Sequence, residues 1–404
     1  MTRPRTGKPQ TGKPQTAIVI GGGIAGPSTA IALQKAGIEP MLFEARQQGG
    51  DSDGIMLTLA TNGIDALQAM GADASVLELG FGTPGITLRG HTGKRLGANQ
   101  IGSGRPGRPV SRTMRRADLS AALRAEAISR SVPIEWGKRL VGAEELDGGV
   151  RATFADGSTA EADILVGADG VHSTVRSIID PAAPKPTYSG LITTGGYARV
   201  PGIPAADRGY EMIFGKRAFF GYGTAPDGET WWFVNIPRRR EPVRGELEAI
   251  PESDWRSSFA QLYADDAGPA LELIGATSHF PPLTPIHTLA RLPRWSRGRM
   301  VLLGDAAHAP SPTSGQGASL SIEDAVVLAT SLRDTDTATN AFARFESTRR
   351  PRVEKIVAAA ARINNSKAPG PVGRLFRDLV LPGILRMTAD SAANREIYDH
   401  HLSW

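Results

Sequence analysis

The chain contains no cysteine. That excludes disulfides, thiolate nucleophiles, thiolate metal ligands and any cofactor bonded through a cysteine sulfur. A long uninterrupted apolar run is also missing. The most apolar window, residues 17–33, is broken by Gly21, Gly22, Gly23, Gly26 and Pro27, so no stable membrane insertion is expected. Acid is missing from residues 1–15, which hold Arg3, Arg5, Lys8 and Lys13. The formal charge of +5 therefore leaves only +1 for the rest, and no nucleic-acid surface is indicated. Aromatic residues are few, and fourteen of the twenty-four fall between residues 186 and 285. His91, His172, His279 and His287 are scattered, and no metal site is expected. The basic start ahead of an apolar window imitates a signal peptide, but the glycine spacing explains that window better. A cytoplasmic protein is expected, one that is a monomer or a homodimer.

Present instead is a strand–turn–helix unit. Thr16-Ala17-Ile18-Val19-Ile20 reads as a buried parallel strand, and a helix follows from Pro27 to Gly37, with Gly37 at its exit. Between them Gly21, Gly23 and Gly26 serve the tight turn, the close approach of a pyrophosphate and the helix–strand contact. The N–H groups of Ala25 and Gly26 point at the phosphates. A second apolar run ends in Glu44, placed to accept ribose hydroxyls, with Arg46 beside it. This is a dinucleotide-binding pattern.

The rest divides around that unit. Residues 6–10 and 11–15 repeat the pentapeptide TGKPQ, a flexible tail. A polar loop spans Gly49 to Gly54, Asn62 is expected to cap a helix, and Ile86 to about residue 97 reads as a hairpin. Turns are expected at Asp147-Gly148 and Asp156-Gly157. The aromatic quarter reads as a β-sheet, with Tyr222 and Trp232 as candidate walls of an apolar substrate pocket. Helices are expected over 340–363, interrupted at Pro351, and around 375–386.

Four separated motifs then resemble the group-A FAD-dependent monooxygenases, the aromatic hydroxylases of the para-hydroxybenzoate hydroxylase fold. They are the glycine unit with Glu44; Arg116-Ala117-Asp118-Leu119; Gly167-Ala168-Asp169-Gly170 with Ser173 and Arg176; and Gly304-Asp305-Ala306-Ala307-His308 with Pro312 and Gly315-Gln316-Gly317. Arg349-Arg350-Pro351-Arg352 resembles the family's late helix signature. The resemblance implies an α/β fold: a Rossmann-like FAD-binding domain with an inserted β-sheet substrate domain and C-terminal helices. On that reading residues 1–15 are tail, and 16–185 and 286–335 form the FAD-binding domain, with the hairpin inside its first part. Residues 186–285 then bind substrate, and 336–404 are helical.

The resemblance also implies roles. Arg116 contacts the flavin nucleotide, and Asp169 serves FAD and the nicotinamide donor. Asp305 takes ribityl hydroxyls, Pro312 lies against the ring, and the N–H groups of Gly317 and Ala318 face the N1/C2 edge, where charge gathers on reduction. Ser319 stands where the family often has Asn. No catalytic acid or base is assigned, and His308 reads as structural. The implied cofactors are non-covalent FAD, NADPH or NADH as electron donor, and O2. In the family, a flavin C4a-hydroperoxide passes one oxygen to an electron-rich aromatic or polycyclic substrate. The alternatives are epoxidation, Baeyer–Villiger insertion or a non-oxygenating oxidation on the same fold, a two-component halogenase, and a flavin-binding module without turnover. The halogenase motif W-x-W-x-I-P is not matched by Trp231 to Pro237.

Overall fold

The structure is a computed structural model that describes residues 12–48, 55–103, 107, 109–203, 209–365 and 392–404. The tail through residue 11, the loop 49–54 and the helix expected around 375–386 lie outside the described residues.

The unit that opens the fold is built as its sequence requires. β1 (Thr16–Ile20) is β-branched and apolar and lies in the middle of a six-stranded sheet. On one side it pairs in parallel with β2 (Glu39–Glu44), and β2 with β8 (Ile134–Trp136). On the other it pairs in parallel with β12 (Ile164–Gly167), then comes β19 (Met300–Leu302), with β18 (Ser296–Arg297) as the antiparallel edge. The chain leaves β1 in both directions across the sheet, and the crevice beyond the strand ends at such a switch point is where an α/β sheet holds a ligand.

Three long helices cover this sheet. α1 (Ala25–Lys35) packs against α8 (Gly317–Asp334) and α4 (Arg116–Ser129). α2 (Thr61–Met70) and α9 (Ala338–Asn365) pack on α8. Asn62 is not a cap: α2 begins one residue earlier, and its side chain is spent on a buried network described below. Pro351 does not interrupt α9, although it removes one backbone donor. Arg349 and Arg350 anchor the helix just before the proline to Glu323, Asp324 and the Leu292 carbonyl, and Arg352 anchors it just after to Glu323, which holds the helix through the lost bond.

The aromatic quarter forms a seven-stranded sheet. Its order is β17 (Thr284–Thr288), β13 (Thr187–Ala198), β16 (Thr230–Pro237), β15 (Phe219–Thr224), β14 (Gly209–Phe214), β5 (Gly85–Gly90) and β6 (Arg95–Gln100). The early hairpin, expected within the first part of the FAD-binding domain, thus supplies two strands here, joined through the one parallel pair, β5 with β14. One face packs on α6 (Glu252–Tyr263) and α7 (Ala270–Ala276). The other meets a three-stranded sheet of β3 (Met56–Leu59), β7 (Arg112–Arg115) and β4 (Phe81–Gly82). A third small sheet holds β9 (Leu140–Leu146), β10 (Gly149–Phe154) and β11 (Thr159–Ala162). Its turns carry Gly148 and Gly157 at φ of 83° and 81°, as the Asp-Gly pairs require. The short α3 (Ala74–Leu77) and α5 (Thr174–Ile179) and the late α10 (Ala392–Tyr398) complete the described helices.

Candidate active site

The glycine turn shows why each glycine stands where it does. Gly21 has φ of 110°, and a Cβ there would lie 2.4 Å from the Ala168 carbonyl oxygen. A Cβ on Gly26 would lie 1.7 Å from the Gly21 oxygen. At Gly23 a Cβ would meet nothing within 4 Å, so this position faces open space. α1 begins at Ala25 with no side-chain cap, which leaves its first N–H groups for a ligand. Glu44 ends β2 against the turn: its carboxylate takes the Gly22 N–H at 2.6 Å and the Arg46 N–H at 2.9 Å. Arg46 is thus held at the rim by its backbone, with an exposed residue surface. Buried Arg124 braces the turn by donating to the Gly22 carbonyl at 2.9 Å, a contact the sequence did not single out.

The second turn meets the first. A Cβ on Gly304 would lie 3.2 Å from Ala25 Cβ, and one on Gly317 would lie 3.8 Å from Asp305 Oδ1. Asp305 opens onto the crevice, where the protein packed around it pushes its carboxyl up. The charges of His308 and Arg116 oppose that rise. α8 begins at Gly317 with no side-chain cap, so the N–H groups of Gly317 and Ala318 face outward, with exposed Pro312 just before them. Asp169 adjoins the glycine turn, its Cα 3.0 Å from the Gly21 Cβ position. Its carboxylate is used as a helix cap, taking Ser173 Oγ at 2.5 Å and the N–H groups of Thr174 and Val175 at 2.7 and 3.1 Å. Arg176 ties that cap to the second turn through the Ala306 carbonyl at 3.2 Å. The two turns, Glu44, Arg116, Asp169 and the start of α8 therefore border one crevice.

Tyr222 and Trp232 do not reach it. Trp232 is fully buried, donating from Nε1 to Thr277 Oγ1 at 2.9 Å, and Tyr222 is 6% exposed; both lie in the core under α6 and α7. Strand alternation turns their neighbours to the opposite face. There one cross-strand row runs Gly195, Phe233, Gly221, Met212, Leu88, and the next Tyr197, Trp231, Gly223, Tyr210, Ile86. The glycines make room: a Cβ on Gly221 would lie 2.4 Å from Phe233 Cε1, and one on Gly195 would lie 2.9 Å from Ile55 Cδ1. Phe233, Met212 and Ile86 stay half-buried on this face. At its border Arg115 lies 4.4 Å over the Tyr197 ring and pairs with Glu229 at 3.0 Å. Arg115 immediately precedes Arg116 at the crevice, so the apolar face and the crevice adjoin.

Beneath the second turn lies a charged network that reading the sequence missed. Asp324 takes the Gly304 N–H at 2.9 Å, His308 Nε2 at 2.6 Å and Arg349 Nε at 2.6 Å. Glu323 takes Arg349 Nη1 at 2.5 Å, Arg352 Nη2 at 2.8 Å and Asn62 Nδ2 at 2.6 Å. All but Arg352 are nearly or fully buried. Two acids in the middle of the otherwise apolar helix α8 were the available signal. His308 is buried and bonded to Asp324, and Ser319 accepts the Ala60 N–H at the start of α2.

The network carries a pH prediction. Arg349 and Arg352 hold the Glu323 carboxyl down at about 2, although burial alone would raise it. A carboxyl lowered on folding adds stability that is fully present above its unfolded value and is lost as pH falls through the folded one. The expected result is a melting temperature that drops steeply below about pH 4.5, with a smaller drop in Glu323→Gln; thermal scans from pH 7 to 3 measure it.

The residues present fit a flavin dinucleotide: an open glycine position, two uncapped helix starts facing one crevice, and Glu44, Arg116 and Asp305 at its rim. Comparison with known proteins agrees. The FAD binding domain family matches residues 15–360. Aurachin C monooxygenase/isomerase from Stigmatella aurantiaca is 30% identical over 86% of this chain and 88% of its own length. The 3-amino-4-hydroxybenzoate 2-monooxygenase PtnB3 from Streptomyces platensis is 32% identical over 84% and 85%. The crystal structure of Klebsiella pneumoniae HpxO complexed with FAD and uric acid superposes with a TM-score of 0.81 at 26% identity, covering 94% of this chain and 97% of that one.

Proposed function

The chain belongs to the FAD-binding-domain family of FAD-dependent monooxygenases, and on that premise we propose that it hydroxylates an electron-rich, largely apolar aromatic or polycyclic substrate. Bound FAD, reduced by NADPH or NADH, supplies the activation of O2 and the transfer of one oxygen atom. Everything else falls to the chain's own residues. The glycine turn and the start of α1 take the pyrophosphate, Glu44 and Arg116 the nucleotide, and Asp305 the ribityl hydroxyls. The N–H groups of Gly317 and Ala318 hold negative charge at the ring's N1/C2 edge by hydrogen bonding and by the helix dipole.

The observation that carries the substrate class is the half-buried patch of Phe233, Met212 and Ile86, from two adjacent cross-strand rows, beside the crevice. These side chains favour a flat apolar ring and exclude water from its reacting edge. Of the named relatives, one is a monooxygenase of 3-amino-4-hydroxybenzoate, one is named for aurachin C, and HpxO holds uric acid in its crystal, which supports a ring-containing organic substrate. Use of NAD(P)H favours a cytoplasmic setting; among the described residues no helix is long and apolar enough to cross a membrane.

The test is NAD(P)H oxidation against phenols, quinolones and aminobenzoates, with peroxide release followed in parallel. Substrate-stimulated oxidation with little peroxide supports the reading. Bound FAD with no oxidation by either donor removes it. In the active system, Phe233→Ala is expected to raise KM about tenfold or more, since a lost phenyl contact costs roughly 1.5–3 kcal/mol, and to increase peroxide release.

A further inference from the structure

Gln316 is the last residue before α8, and there an exposed loop enters the protein interior. Pro312 and Gly315 are exposed, whereas Gln316 is 2% exposed. Its backbone is committed on both sides: the N–H donates to Ser314 Oγ at 3.1 Å, and the carbonyl takes the Leu320 N–H at 2.8 Å. Its side chain is held at one end. Asn62 Nδ2 donates to Gln316 Oε1 at 3.0 Å, and among the described residues the Nε2 end has no partner. The same Asn62 nitrogen donates to Glu323 Oε1 at 2.6 Å.

These bonds can run in only one direction. Arg349 and Arg352 keep the Glu323 carboxyl ionised, and an ionised carboxylate only accepts. Asn62 must therefore turn its amide nitrogen toward Glu323, and its second N–H is left for the Gln316 side-chain oxygen. The start of α2 that carries Asn62 is itself fitted against the first turn of α8. The Ala60 N–H donates to Ser319 Oγ at 3.1 Å, and a Cβ on Gly63 would lie 2.6 Å from that oxygen and 2.9 Å from Ser319 Cα. β3 runs into α2 through Ala60 alone and pairs with β7, whose last residue precedes Arg116.

We propose that Asn62 is a positioning residue for the flavin-side turn: its two N–H bonds tie the Gln316 side chain to Glu323, and so fix how Gly317 and Ala318 present their N–H groups. Asn62 acts through Gln316. Backbone groups held in place beforehand need no ordering when FAD arrives. The inference rests on the assignment of the start of α8 to the flavin and not on the substrate, so failure of the hydroxylation reading leaves it standing. A parent protein that takes up no FAD removes the flavin assignment and this inference together. A parent that holds FAD, with variants that release it alike, removes this inference alone.

The experiment follows FAD release from diluted holoenzyme by flavin fluorescence, together with the visible absorption band of the bound flavin and the melting temperature of the apoprotein. Asn62→Ala is expected to speed release about fivefold, the effect of one hydrogen bond, and to shift the band. Gln316→Ala should do the same, and the double variant should release no faster than the faster single, because both remove one bond. Thr61→Val is the control for the fold. Thr61 Oγ1 donates to the Tyr398 carbonyl at 2.6 Å from the same helix start. Its loss should lower the melting temperature while release and spectrum stay at the parent's values. If Asn62→Ala lowers the melting temperature but leaves release and spectrum unchanged, Asn62 is only a fold element and the proposal is overturned. It is overturned as well if Thr61→Val alters release and spectrum as much as Asn62→Ala does. Multiplying effects in the double variant overturn the route through Gln316.

Discussion

A Gly26→Val protein is expected to purify colourless. At Gly26 a Cβ would stand 1.7 Å from the Gly21 oxygen and 3.1 Å from Leu42 Cδ1. The first partner is backbone, so it cannot yield by changing rotamer. Either the turn opens or α1 withdraws, and both remove the N–H groups from the pyrophosphate. The expected loss of FAD affinity is at least about a thousandfold, roughly 4 kcal/mol. Gly23→Ala separates this from general damage. Its Cβ meets nothing within 4 Å, so the apoprotein should melt as the parent does. The methyl would still occupy the space the pyrophosphate needs, so FAD should bind more weakly. Flavin absorbance per protein and apoprotein melting temperatures measure both. Full FAD occupancy in Gly26→Val would contradict the assignment of this turn.

The second large effect is at Arg349. Arg349→Leu should destabilise the fold by about 3–5 kcal/mol, because it leaves Glu323 and Asp324 buried without their shared counter-charge. The damage is also local to the site. Asp324 holds the Gly304 N–H and His308, so its repulsion from Glu323 loosens the turn that carries Asp305. Denaturant unfolding of the apoprotein reads the first effect and FAD release the second. Arg349→Leu combined with Glu323→Gln and Asp324→Asn should recover part of the stability, since the uncompensated charge is then gone. If Arg349→Leu alone unfolds at the parent's midpoint, the network does not bear on the fold as described.

How much of this could be read beforehand depends on the range of the interaction. The strand–turn–helix unit, Glu44 and the turns at Gly148 and Gly157 are local: backbone conformation and spacing within a few dozen residues determine them. The crevice was also legible, because four motifs each carry their own local geometry. Trp231, Trp232 and Phe233 were not separable. All three are aromatic, strand alternation sends neighbours to opposite faces, and only the packing of α6 and α7 decides which face is core. Asn62 has the chemistry of a cap and is used instead across 254 residues, on Gln316. Pro351 carries a local helix-breaking signal that distant partners of Arg349 and Arg350 outweigh. The hairpin of β5 and β6 was recognisable as a hairpin, but its parallel partner β14 lies more than a hundred residues on, and no local pattern names it.

The central claim is that the crevice holds FAD next to an apolar face where one oxygen atom enters an aromatic ring. Turnover under 18O2, with NADPH or NADH and the aromatic that most stimulates donor oxidation, tests it most directly. The expected product carries one 18O in a new hydroxyl group, with one donor molecule consumed per product. Donor consumption that yields only peroxide, or a product whose added oxygen comes from water, would contradict it.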